Sequence, residues 1–169
     1  NKIFSKQGLG RMSMSEFYGQ PILAEEAISL ICTAYHQGVN HFDTADIYGF
    51  GRNEELVGRA IRVLKGHGVK REKIILATKC GIVRDENDVT KRGIDNAYDY
   101  VKSCCISSLE RLGEDVGYID LYYIHRIADQ GKKIVETMQA LAELLKEGKI
   151  KAVGLCEASE SIIREANDA

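Results

Sequence analysis

Four side chains in this sequence are of types that hold and move protons: Asp43, Tyr48, Lys79 and His125. Each follows or ends an apolar run that reads as a β-strand, and in parallel α/β folds the working groups sit just beyond the C-terminal ends of strands. Phe42-Asp43-Thr44-Ala45 closes one run, with Tyr48 after it. Ala77-Thr78-Lys79 closes the next, and Tyr123-Ile124-His125-Arg126 a third. Taken singly, an Asp after a strand is ordinarily a turn or capping residue, a Lys is solvated, and a His or Tyr is packing. Their joint arrival on successive strands is what points to chemistry. A free phenol has a pKa of about 10 and keeps its proton at neutral pH. An ammonium beside it favours the phenolate, an Asp paired with the Lys fixes that ammonium, and a His near the phenol can hydrogen-bond a substrate oxygen or relay a proton. The set suits protonation of a carbonyl oxygen while hydride arrives at carbon, and hydride calls for a nicotinamide cofactor.

The elements that must position these groups follow from the hydrophobic period. Gly8–Met14 reads as a first short strand. Glu25–Gln37 has helical spacing at Ile28, Ile31, Cys32 and Tyr35, with Gly38 as a stop. Val39–Phe42 is a second strand. Asn53 is placed as the N-cap of a helix running to about Leu64, with Glu54 and Glu55 in its first turn. Ile74–Ala77 is a third strand, and Arg84–Gly93 a polar loop after it. Ala97–Leu112 is a helix closed by Gly113, Ile119–Ile124 a strand, and Ile134–Lys146 a helix closed by Gly148. Ile150–Leu155 is a fifth strand and Glu160–Asp168 a last short helix. Five βα units in strict alternation predict an α/β protein with a parallel sheet under covering helices. Two architectures fit: an open doubly wound sheet, or part of an eight-unit barrel. The first calls for a phosphate fingerprint after its first strand. Here Gly8 and Gly10 are present but Ser13 occupies the third glycine position, and no Walker sequence occurs.

Composition narrows the class. The chain has 169 residues, 44% hydrophobic and 28% charged, with a net charge of −2, which suits one domain over 1–169. No apolar run approaches the ~20 residues of a membrane helix, and no signal peptide opens the chain. Mild acidity removes the electrostatic reason to expect nucleic acid. Cys32, Cys80, Cys104, Cys105 and Cys156 are too scattered for a disulfide scaffold and lack the spacing of a metal site, so they read as packing thiols in a cytoplasmic protein. A chain that opens at Asn1 rather than Met suggests a processed, trimmed or partial sequence.

Several longer segments resemble the aldo-keto reductases. Residues 38–49, GVNHFDTADIYG, continuing into the NEELVG of 53–58, look like that family's main signature. The IILATKCG of 74–81 is similar to its lysine strand, the IDLYYIHR of 119–126 to its histidine strand, and the GKIKAVGL of 148–155 to its fifth strand. The opening GLGRMSMSEFYG of 8–19 is similar to its first strand and loop. The resemblance implies a (β/α)8 barrel of the TIM type and NADPH-dependent reduction of a small aldehyde or ketone. In it Tyr48 is the general acid, Lys79 adjusts its acidity, Asp43 pairs with Lys79, and His125 orients the carbonyl. Gly10, Asp43, Cys156 and Glu157 fall at cofactor-binding positions.

The same resemblance marks departures. A barrel of this type typically needs about 250 residues, with about 200 as a lower bound. Five βα units therefore predict a domain incomplete at its C-terminus, lacking the family's adenosine-phosphate loop and nicotinamide-stacking aromatic. An unclosed sheet predicts open edges on its first and fifth strands, where a second copy or a complementing chain would pair. A catalytically silent binding or regulatory subunit is the alternative function. Cys156 stands where the family commonly has a Ser that holds the nicotinamide carboxamide, and a thiol is the weaker hydrogen-bonding group. Arg11 sits in the first-strand turn, where it either reaches the cofactor pyrophosphate or obstructs it.

Overall fold

Short strands and longer amphipathic helices alternate, and the helices cover a sheet built in chain order. The computed structural model describes residues 3–15, 22–85, 87–88 and 90–169. Its elements begin with β1 (Gly8–Gly10), α1 (Met12–Ser15), α2 (Ala24–His36), β2 (His41–Asp43), α3 (Arg52–Gly66) and β3 (Ile75–Cys80). They continue with β4 (Ile82–Arg84), β5 (Arg92–Ile94), α4 (Tyr98–Leu112), β6 (Leu121–Ile124), α5 (Ile134–Lys146), β7 (Val153–Leu155) and α6 (Glu160–Asp168).

The main sheet runs β1-β2-β3-β6-β7, and every adjacent pair is parallel. A doubly wound sheet reverses its strand order at a switch point. No reversal occurs here, so the winding is that of the first five units of a (β/α)8 barrel. β1 pairs only with β2 and β7 only with β6, which leaves both edges open among the described residues. In register, Gly10 lies opposite Asp43, Asp43 opposite Ala77, and Lys79 opposite Tyr123. That register brings the ends of the strands to one rim.

All six residues of β3 are buried, as expected of a parallel strand covered on both faces. Phe42, Leu76, Cys80, Tyr122 and Ile124 pack under Ile31, Ile61, Leu64, Val101, Leu141 and Leu144 from the helices. Each such aliphatic or aromatic side chain contributes roughly 1.5–3 kcal/mol on burial. The helices carry matching apolar stripes; in α3 these are Val57, Ala60, Ile61 and Leu64. Gly113 ends α4 at φ 84°, a left-handed conformation that side chains resist.

The structure corrects several sequence expectations. The first strand is three residues long instead of Gly8–Met14, because the chain turns into α1 and buries Met14 in the core. The second ends on Asp43, and the third extends to Cys80, so Thr78 and Lys79 are strand residues rather than residues beyond a strand. Asn53 is not an N-cap: Gly51 holds that position at φ 89°, and Asn53 lies buried inside α3. The polar loop of 84–93 contains part of a hairpin, β4 with β5, whose register pairs Ile82 with Ile94 and Arg84 with Arg92. The fifth strand begins at Val153, with Ile150 making only a single bridge to Ile119. The expected helices from Ile134 and Glu160 have the bounds that their period predicts. Residues 16–19 of the first loop and positions 86 and 89 of the polar loop lie outside the described residues.

Gly58 lets α3 pack tightly against the end of α4. A β-carbon there would collide with the Leu112 carbonyl, a backbone group that cannot rotate away. Gly58→Ala is expected to lower stability by about 1–3 kcal/mol in urea unfolding, although Ala is the better helix former.

Candidate active site

Asp43, Tyr48, Lys79 and His125 meet at the C-terminal rim of the sheet. Lys79 and Asp43 stand on adjacent strands, and the Lys79 ammonium donates to the Asp43 carboxylate. The same Nζ donates to the Thr44 carbonyl at 2.8 Å and lies 5.2 Å from the centre of the Tyr48 ring. Burying an ammonium without a counter-charge is costly, so the carboxylate and carbonyl account for its depth. The Lys79 side chain is only 10% exposed and that of Asp43 31%. The rings of Tyr48 and His125 stand edge to face at 5.8 Å. Tyr48 itself is buried.

His125 continues β6, its backbone N–H donating to the Cys80 carbonyl at 2.7 Å. Burial first, and then the nearby Lys79 and Arg126 charges, lower its pKa to about 4. The imidazole is therefore neutral at neutral pH. It can hydrogen-bond an oxygen but is not an imidazolium acid there. Its Nδ1 is buried and has no partner among the described residues.

Tyr48 opens a tight turn, 48–51, in which Gly49 (φ 57°) and Phe50 (φ 54°) are both left-handed. For Phe50 this costs on the order of 1–3 kcal/mol, so the surroundings must hold the turn. Arg52 Nε donates to the Gly49 carbonyl at 3.0 Å, and the Arg84 guanidinium from the hairpin lies over the Phe50 ring at 4.4 Å.

Two polar residues beneath the rim have roles that sequence reading missed. Asn53 accepts from Thr44 Oγ1 at 2.7 Å and donates to the Arg11 carbonyl at 2.8 Å, linking the ends of β1 and β2 to α3. Glu54 is fully buried, and its carboxylate accepts from Thr78 Oγ1 at 2.7 Å and from Arg111 Nε at 2.7 Å. The sequence placed the pair at the first turn of α3, where such types normally act as caps. Two polar residues directly before an apolar helix stripe were the only available signal.

The remaining candidate residues occupy the same rim with less definition. Gly10 ends β1 opposite Asp43, and a β-carbon on it would meet nothing within 4 Å. Cys156 donates its N–H to the Ile124 carbonyl and is near enough to Lys79 and Asp43 to feel both charges, while burial pushes its thiol pKa up. Glu157 has a left-handed φ of 51° and pairs with Arg126. Arg11 is buried against the Phe42 ring at 5.2 Å, where burial lowers its pKa to about 9. Its Nε donates to the Asp43 carbonyl at 3.4 Å, and neither Nη has an acceptor among the described residues. Among the described residues no three or more His, Cys, Asp or Glu side chains are grouped to hold a metal ion. No described helix is long and apolar enough to cross a membrane.

Comparison with known proteins places this rim in context. A family model described as the aldo/keto reductase family matches residues 7–169. A probable aldo-keto reductase 1 from Glycine max is 44% identical over 163 residues, covering 96% of this chain and 44% of that protein. Among solved structures, an aldo-keto reductase from Bacillus halodurans in its holo form superposes with a TM-score of 0.75 at 34% identity, over 96% of this chain and 49% of that one. A glycerol dehydrogenase from Gluconobacter oxydans gives 0.77 at 30% identity, over 95% and 47%. An aldo/keto reductase from Klebsiella pneumoniae, solved in complex with NADP and acetate, gives 0.69 at 27% identity, over 93% and 47%. The chain spans about half the length of the relatives it matches.

The depressed His125 pKa has a thermodynamic consequence. Between the ordinary 6.5 and about 4 the unfolded chain binds a proton at this position that the folded chain refuses. His125 is expected to contribute a loss of stability as pH falls through that window, with no contribution above it. Imidazole signals followed by NMR should show one midpoint near pH 4, absent in His125→Gln.

Proposed function

We propose that this chain, which belongs to the aldo/keto reductase family, carries the proton-transfer half of an NADPH-dependent reductase of small aldehydes or ketones. The observation behind this reading is the convergence of Tyr48, Lys79, Asp43 and His125 on one rim. Tyr48 gives its proton to the carbonyl oxygen. The Lys79 ammonium, 5.2 Å from the ring, stabilises the negative charge the phenol takes on. Asp43 and the Thr44 carbonyl hold that ammonium in place. His125, neutral at neutral pH, hydrogen-bonds the carbonyl oxygen and aligns it for Tyr48.

The rim also fits a nicotinamide. The space over Gly10 is open, the buried Nδ1 of His125 lacks a partner among the described residues, and Asp43, Cys156 and Glu157 line the same end of the sheet. We assign the nicotinamide end of the cofactor to Gly10, Asp43, Cys156 and Glu157. When bound, NADPH supplies the hydride to the carbonyl carbon. The NADP in the Klebsiella pneumoniae neighbour supports this choice of cofactor. The edges of β1 and β7, unpaired among the described residues, favour a further strand on each side, from a second copy or a complementing chain. Five free cysteines suit the reducing cytoplasm.

Tyr48→Phe removes one oxygen and keeps the ring against His125. Aldehyde-dependent oxidation of NADPH should fall about 10²–10⁴-fold in this variant, with cofactor binding by fluorescence titration unchanged. Undiminished turnover would remove Tyr48 from the mechanism. Cofactor binding by the native chain without any turnover would instead make it a silent binding subunit.

A further inference from the structure

A second cluster of reactive groups lies away from the rim. The all-buried pleat of β3 puts Thr78 and Cys80 on the helix side of the sheet, where Thr78 meets Glu54 of α3 and Cys80 joins the core. Over this face a groove of about 470 Å³ opens between α4, β4 and the turn after Tyr48. Asp46, Arg84, Tyr100, Cys104 and Arg111 are among its walls. Tyr100, Cys104 and Arg111 form one stripe of α4 at spacings of four and seven.

α4 packs on β3, and Cys104 borders the core cluster that contains Cys80, near enough for the two thiols to perturb each other, as Tyr100 perturbs Cys104. One thiol thus lines the groove, and the other lies in the adjoining core with no exposed surface. Asp46 projects into the same groove with its Oδ1 lacking a hydrogen-bond partner among the described residues. This is the arrangement of an accessible attacking thiol with a protected resolving thiol.

We propose that Cys104 and Cys80 form an oxidisable thiol pair, in which a hydroperoxide entering the groove oxidises Cys104 and Cys80 closes a disulfide from β3 to α4. In the first step the Cys104 sulfur attacks the peroxide, an S–O bond forms, and the O–O bond breaks. The sulfur loses two electrons, and the leaving oxygen departs as an alcohol, or as water from hydrogen peroxide, the thiol proton balancing it. In the second step the Cys80 sulfur attacks the Cys104 sulfur, the S–O bond breaks, and the hydroxyl leaves as water with the Cys80 proton. Two thiols and one hydroperoxide give one disulfide, one alcohol and one water.

Electrostatics favours the same thiol. The neighbouring Cys80 thiol, with help from Tyr100 and Arg111, lowers the Cys104 pKa against the opposing effect of burial. Burial raises Cys32 and Cys156 and pushes Cys105 up to about 12, while the Cys104 neighbour, and then burial, raise Cys80. Burial raises the Asp46 carboxyl pKa well above its ordinary value, which favours the protonated form of this groove-lining group.

The test is to titrate the reduced full chain with hydrogen peroxide, quench with iodoacetamide, and map the peptides by mass. The expected product is a monomer lighter by two hydrogens, carrying a Cys80–Cys104 cross-linked peptide that dithiothreitol reverses. In Cys80→Ser, dimedone should capture one sulfenate, on Cys104. Cys104→Ser should leave the other thiols reduced at the same dose. First oxidation at Cys32, Cys105 or Cys156, a disulfide between chains, or a Cys104 that stays alkylatable throughout would each overturn the proposal. The native chain's peptide map decides the matter even where a buried-site variant fails to fold.

Discussion

A carboxylate with no exposed surface must be satisfied from within, and the burial of Glu54 imposes that demand on three elements at once. Its two oxygens are met by Thr78 of β3 and Arg111 of α4, while Glu54 itself belongs to the first turn of α3. Strand residues alternate between faces, so fixing Thr78 toward the helices fixes Lys79 toward the opposite face. A slip of one residue would leave Glu54 without its hydroxyl and turn the Lys79 ammonium away from Asp43. The position of the Lys79 ammonium is thus set through a residue, Glu54, that does not bond to it. Asn53 does the same for the ends of β1 and β2.

The residues of the rim were more legible than their support. Asp43, Tyr48, Lys79 and His125 are distinctive types after apolar runs, and strand alternation alone brings such residues to one end of a parallel sheet. The helix periods of α5 and α6 gave their bounds because their apolar stripes are regular. Asn53 was misread because polar residues before an apolar stripe usually cap, and nothing in one dimension says that the partners lie inward. The first strand was overextended because Met12 and Met14 look like strand residues, whereas the glycines of GLG sustain only a short one. The β4–β5 hairpin escaped notice because each strand is only three residues long and carries an arginine, with a glycine at the centre of β5. The monotonic sheet order, which separates a barrel from a doubly wound sheet, is a property of pairing and leaves little trace in local pattern.

Tyr48 rests on the least relaxed backbone near the rim. Its turn holds Gly49 and Phe50 in left-handed conformations, braced by Arg52 and by Arg84 from the hairpin. The proposed acid is therefore held by cationic side chains from a helix start and a surface hairpin, whereas Lys79 is held by the sheet. The same hairpin strand, β4, also walls the groove that exposes Cys104. Oxidation state at α4 and the seating of the phenol share that strand as common structure, on opposite sides of it in function.

The chain-ordered sheet has a bearing on how the protein is made. In a sheet wound in chain order, every strand after β1 emerges from the ribosome with its partner strand already made, while the outer edge of β1 has no partner among the described residues. That edge is three residues long, Gly-Leu-Gly, too short and too poor in side chains to template a stray partner along much length. The brevity that made β1 hard to read is also what makes it safe to leave open while the rest is synthesised.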